Sequence, residues 1–119
     1  MGQEKRRCLR LDIELPVSFD IRSSQRHQAI TTTLNVSATG LSFLTREPLK
    51  VGQSLILVVG LGKGQRTRLP ATVRWIKESF EIGGPEYLVG MQLDDKAEDE
   101  QKKFVLFVAQ EMIRRANLS

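Results

Sequence analysis

One cysteine, one histidine, one tryptophan and one tyrosine stand in this chain of 119 residues. With Cys8 alone, an internal disulfide and a cysteine-cluster metal site are excluded, and a reducing compartment is the expected setting. His27 lies in a polar stretch with no second imidazole and no zinc-ligand spacing, so it reads as a solvated side chain; no metal is expected. No Ser–His–acid set can be assembled, and the carboxylates are scattered or gathered in "DDKAEDE", so the chain is not expected to be an enzyme and no catalytic residue is assigned. No apolar run approaches the roughly 20 residues of a membrane span. "MGQEKRR" leads into no hydrophobic leader, and Arg6 stands where a myristoylated Gly2 would want Ser or Thr. Membrane insertion is therefore not expected, and the cytoplasm is the expected location.

What the chain does have is alternation. Ile13, Leu15, Val17, Phe19 and Ile21 share one face of a first strand, with Pro16 on the polar side; Ala29, Thr31 and Thr33 alternate against Ile30, Thr32 and Leu34 in a second. Leu41, Phe43 and Thr45 mark a third, and "SLILVVG" is a short apolar run that reads as a fourth. From Arg66 to Lys77 the residues Thr67, Leu69, Ala71, Val73 and Trp75 form one face, with Ile76 off the pattern. "SFEIGGPE" reads as a loop before a sixth strand, in which Val89, Met91 and Leu93 oppose Leu88, Gly90 and Gln92. The period then changes to that of a helix over residues 97–116, whose apolar side carries Phe104, Val105, Val108, Ala109, Met112 and Ala116. Phe107 falls among Lys103, Gln110, Glu111 and Arg114, either as an exposed anchor for a partner or buried by a shifted helix. The expected fold is mainly β: a six-stranded antiparallel β-barrel with a C-terminal α-helix packed on it, one domain over residues 11–119.

Two segments remain to be explained. "VVGLGKG" looks like a phosphate loop, but a strand pattern comes after it where a phosphate site needs a helix, so it reads as a hairpin turn. "KRRCLRLD", Lys5 to Asp12, concentrates the basic residues of a chain with net charge +4, which suits an anionic partner. "NVSATG", Asn35 to Gly40, places amide, hydroxyl and glycine at a strand end, where ordinary turn chemistry would also put them.

Taken in order, the two segments resemble the paired signature of the PilZ domain family, bacterial receptors for cyclic di-GMP: RxxxR before the first strand and [DN]xSxxG between the second and third. Arg6-Arg7-Cys8-Leu9-Arg10 and Asn35-Val36-Ser37-Ala38-Thr39-Gly40 match it. The resemblance implies a cyclic di-GMP site made of Arg6, Arg7, Arg10, Asn35, Ser37 and Gly40, with residues 1–10 as its flexible arginine-rich arm. Trp75 lies in a strand where the family often carries tryptophan and is a secondary site residue. Lys5, just before the first motif arginine, bears on stoichiometry, and a basic residue there implies two stacked ligands. Guanidiniums fit the ligand because they pair bidentately with phosphate or with the O6/N7 edge of guanine. The implied role is a receptor or adaptor that turns messenger level into binding of an unidentified protein effector, or into a homodimer. A PilZ-fold adaptor that binds protein without nucleotide is one alternative. A basic barrel for single-stranded nucleic acid is the other, and it is poorly supplied with exposed aromatics to stack on bases.

Overall fold

The computed structural model describes residues 10–21, 27–81, 83–94 and 98–118. Six antiparallel strands, β1 (Pro16–Ile21), β2 (His27–Val36), β3 (Gly40–Thr45), β4 (Ser54–Gly62), β5 (Gln65–Glu81) and β6 (Gly84–Leu93), close into a barrel in the order β1-β2-β3-β6-β5-β4. The helix α1 (Glu98–Leu118) comes next and ends two residues beyond the expected C-terminal limit. Alternation does what it should. Val17, Phe19, Phe43, Leu57, Val59, Leu69, Val73 and Val89 are buried inside, and the rings of Phe19 and Phe43 meet with centroids 5.4 Å apart. "SLILVVG" alternates after all, with Leu55, Leu57 and Val59 inward and Ile56 on the outside.

The glycine-rich stretch is the β4–β5 connection. Gly62, Lys63 and Gly64 have φ of 86°, 55° and 76°, a left-handed run that lets the chain reverse and continue as a strand. The expected loop "SFEIGGPE" is instead the end of a long hairpin: β5 runs to Glu81 and β6 begins at Gly84, with φ of 102° and 118° at Gly83 and Gly84. At 17 residues, β5 serves two neighbours, pairing its first half with β4 and its second with β6.

Two bulges interrupt the ladders. The β2–β3 register shifts between Thr33 and Asn35, and the β5–β6 register between Val73 and Trp75. Each inserts one residue, Leu34 or Arg74, and reverses the inside–outside phase of the strand beyond it. Trp75, expected with the inward set, therefore faces outward, and Ile76, off the simple pattern, packs against the core.

Helix α1 is also rotated from its expected setting. Phe104 and Val108 are fully buried, with Phe107 and Met112 packed beside them, whereas Ala109 and Ala116 are exposed. Phe107 is thus a half-buried member of the helix–barrel contact, and on α1 Leu106 and Ile113 face water. Glu100 fixes the start of the helix. Its carboxylate accepts from the Thr67 hydroxyl (2.8 Å) and the Arg68 amide (2.9 Å), and these bonds, with Lys103 nearby, hold its pKa down at about 2.

Candidate functional site

A strap formed by residues 11–15 fastens the N-terminal end of the described chain to the end of β2. The Leu11 amide donates to the Val36 carbonyl (2.7 Å) and the Val36 amide to the Leu11 carbonyl (2.9 Å). Thr33, fully buried, completes the fastening: its hydroxyl donates to the Ile13 carbonyl (2.7 Å) and accepts from the Leu15 amide (2.9 Å). Leu11 and Leu15 are themselves buried. Arg10, exposed and next to the Leu11 anchor, is consequently held beside the turn at the end of β2.

That turn is pinned on its other side. The Ser37 amide donates to the Gly40 carbonyl (2.8 Å), and the Leu93 amide, at the end of β6, donates to the Thr39 carbonyl (2.9 Å). The Ser37 hydroxyl lies 3.3 Å from the Thr39 amide, which donates to it. Ordinary turn chemistry would account for a glycine at position 40 through an unusual φ, but the structure gives a different reason. The φ of Gly40 is not in the left-handed region, and its requirement for glycine is internal: an added Cβ would come within 2.3 Å of the Met91 carbonyl oxygen on β6.

Across the outer wall, Asn35 pairs with Ser42, Ser42 with Gly90 and Gly90 with Trp75, one row over four strands. The middle of the row has almost no side chain, so it sinks between Asn35 and Trp75. A Cβ on Gly90 would lie 2.2 Å from Trp75 Cε2 and 2.3 Å from Nε1, so the indole lies directly against the glycine backbone. The ring is nevertheless 39% exposed. A cavity of about 560 Å³ sits over this row, within the range of roughly 300–1,000 Å³ usual for small-molecule sites. Arg10, Asn35, Ser37, Gly40 and Trp75 all line it. Lys5, Arg6 and Arg7 lie outside the described residues, as does Cys8. The cavity lies on the barrel's outer wall.

Thr39, Ser42, Arg74, Gly90 and Gln92 also line the cavity and were not anticipated from sequence. The one available signal is the break in alternation at Ile76, which marks the bulge that sets Trp75 outward beside Arg74. Two arginines and no carboxylate occur among the described lining residues, so the cavity favours an anion.

Residues 4–110 match the sequence model of the PilZ domain. The chain belongs to the PilZ domain family. Among solved structures, this PilZ domain superposes on the PilZ domain with c-di-GMP of YcgR from Escherichia coli with a TM-score of 0.70 and 15% identity, covering 96% of this chain and 98% of that one. K. pneumonia MrkH in its apo state gives a TM-score of 0.77 at 15% identity, covering 98% and 55% of the two chains. The Bacillus subtilis inhibitor of motility MotI/DgrA gives 0.71 at 20% identity, covering 94% and 53%. The chain thus spans about half the length of the MrkH and MotI chains it resembles. No curated protein sequence matches it. At these identities the neighbours establish the shared fold.

Proposed function

We propose that this PilZ domain is a receptor for cyclic di-GMP that converts messenger concentration into a protein–protein interaction, acting in the cytoplasm without catalysis. The observation that carries the proposal is the meeting of Arg10 with Asn35, Ser37 and Gly40 around one anion-suited cavity, from segments 25 residues or more apart in sequence. YcgR and MrkH, whose structures include cyclic di-GMP complexes, share the fold.

The chemistry of the lining suits the ligand group by group. The Arg10 guanidinium can take a phosphate bidentately or the O6/N7 edge of a guanine, and the Asn35 side-chain oxygen can accept from guanine N1–H and N2–H₂. Ser37 offers a hydroxyl to phosphate or base, and the exposed face of Trp75 a surface for stacking. Arg6 and Arg7 are proposed to close over the ligand, with Lys5 offsetting the charge of a second, stacked molecule. The proposed output is a change in the surface presented to an effector protein or a second copy of the chain.

Calorimetry with cyclic di-GMP, against GTP and a short oligonucleotide, tests the reading. The protein should bind cyclic di-GMP selectively and saturate at two equivalents per chain. One well-placed bidentate contact contributes about 1–3 kcal/mol, so Arg10→Ala should weaken binding roughly tenfold to a hundredfold. Arg66→Ala, at the start of β5 away from the cavity, should leave it unchanged. Equal affinities of the wild-type and Arg10→Ala proteins would refute the site.

A further inference from the structure

Arg74 is surplus to the barrel. Val73 pairs with Met91 and Trp75 with Gly90, consecutive residues on β6, so a strand without Arg74 would pair there with no interruption. Trp75 would still lie opposite Gly90 and Ile76 opposite Val89. The inserted residue is a long cation delivered to the cavity's wall, next in sequence to the aromatic ring that lines the same cavity. It is also aimed. Arg74 Nη1 donates to Gln92 Oε1 on the neighbouring strand, and Gln92 lines the cavity too. A guanidinium carries five N–H groups in a fixed plane, so a hold on one nitrogen orients the others.

We propose that Arg74 is a base-selecting residue of this site, positioned by Gln92, which distinguishes guanine from adenine. The inference rests on the cyclic di-GMP reading above. The chemistry comes from the edge that each base displays. Guanine offers two acceptors, O6 and N7, to a pair of guanidinium N–H groups. Adenine offers N7 beside the N6 amino group, so one guanidinium N–H meets another donor. A base stacked on Trp75 presents that edge within the cavity shared with Arg74, and the Gln92 bond keeps the guanidinium from swinging into solvent. A lysine would supply charge without the paired donors.

The test compares cyclic di-GMP with cyclic di-AMP by calorimetry and by competition against a fluorescent cyclic di-GMP analogue. The two ligands have the same phosphodiester ring and differ in their bases. Arg74→Ala and the deletion of Arg74 should each weaken cyclic di-GMP by about tenfold or more. Cyclic di-AMP should be almost unaffected, so the preference for guanine collapses. Arg74→Lys should fail to restore the preference. Gln92→Leu should lower it while leaving the melting temperature unchanged, and Gln92→Glu, which keeps an acceptor, should retain most of it. Equal loss for both ligands in Arg74→Ala would make Arg74 a phosphate contact and overturn the inference while the receptor reading stands. A wild-type protein that binds neither ligand would overturn both. Loss of cyclic di-GMP binding in Arg10→Ala, with the guanine preference intact in Arg74→Ala, would overturn the inference alone.

Discussion

Replacing Thr33 with valine removes one hydroxyl from the barrel wall while preserving its shape, and the structure assigns that hydroxyl two tasks. It accepts the Leu15 amide, a buried donor, and donates to the Ile13 carbonyl. In Thr33→Val the Leu15 N–H is left without its acceptor, at a cost of about 1–3 kcal/mol; the less buried Ile13 carbonyl is more easily satisfied by water and loses less. The total, about 2–3 kcal/mol, is a substantial part of the roughly 5–15 kcal/mol that holds a domain folded. For a chain of this size it corresponds to a fall in melting temperature of about 10 °C. The same change loosens the strap that leads to Arg10, so cyclic di-GMP affinity should fall although no ligand-facing atom has been altered. Thr33→Ser keeps the hydroxyl and loses one methyl, about 1 kcal/mol, and should keep its affinity. Thermal denaturation, calorimetry and hydrogen exchange at the Leu15 amide read the three effects. If Thr33→Val melted and bound like the wild type, with the Leu15 amide still protected, the strap would not be fastened as described.

Gly40→Ala places a methyl 2.3 Å from the Met91 carbonyl oxygen, a backbone clash that β3 and β6 can relieve only by separating; a loss of several kcal/mol is expected, seen as a lower denaturation midpoint even without ligand. Glu100, with its pKa lowered to about 2 in the folded chain, contributes stability that is complete above about pH 4.5 and lost as the pH falls toward 2. Glu100→Gln should therefore flatten the stability profile across that window, measured by urea denaturation at pH 6, 4 and 2.5. Phe107→Ser should destabilise by about 1–3 kcal/mol because the ring packs on the core, while Leu106→Ser, at an exposed position of α1, should stay within about 0.5 kcal/mol; the reverse ranking in denaturant would mean the helix face is assigned wrongly.

Strand positions were legible because one face of each strand is buried, and burial writes itself into the sequence with period two. The helix was harder. Phe104 and Val108 lie on one side of α1, Leu106 and Ile113 on nearly the opposite side, and both stripes satisfy a helical period. Which stripe meets the barrel depends on where β5 has placed Thr67 and Arg68 to receive Glu100, a tertiary fact with no local signature. The hairpin tip at Gly83 and Gly84 is narrower than the loop expected there for a related reason: glycines announce a turn, while nothing local shows that the flanking residues continue β5 and β6. The arginine segment and the Asn35–Gly40 turn could be recognised because their residue types and spacing are a pattern within a few positions. Ser42 and Gly90 could not, since a small residue becomes the floor of a cavity only when four strands come into register.

The two bulges explain why a regular barrel has a cavity on its outer wall. In unbroken alternation from Thr33, which is buried, Asn35 would also point inward and bring an amide into an apolar core; Trp75, two residues after Val73, would force an indole into a barrel already filled by Phe19 and Phe43. Because Leu34 and Arg74 bulge out of the pairing rather than take a place in the alternation, Asn35 and Trp75 both face outward instead, at opposite ends of the same row. The inserted residues differ in what they then do. Leu34 is 39% exposed on the outer face and is absent from the residues that line the cavity, so in β2 the bulged residue adds nothing to it. Arg74 lines the cavity itself, so in β5 the bulged residue adds a cation beside the outward-facing Trp75. A polar amide and an aromatic ring that would have destabilised the interior thus become the two walls of a trough, and the irregularities of β2 and β5 are its structural origin.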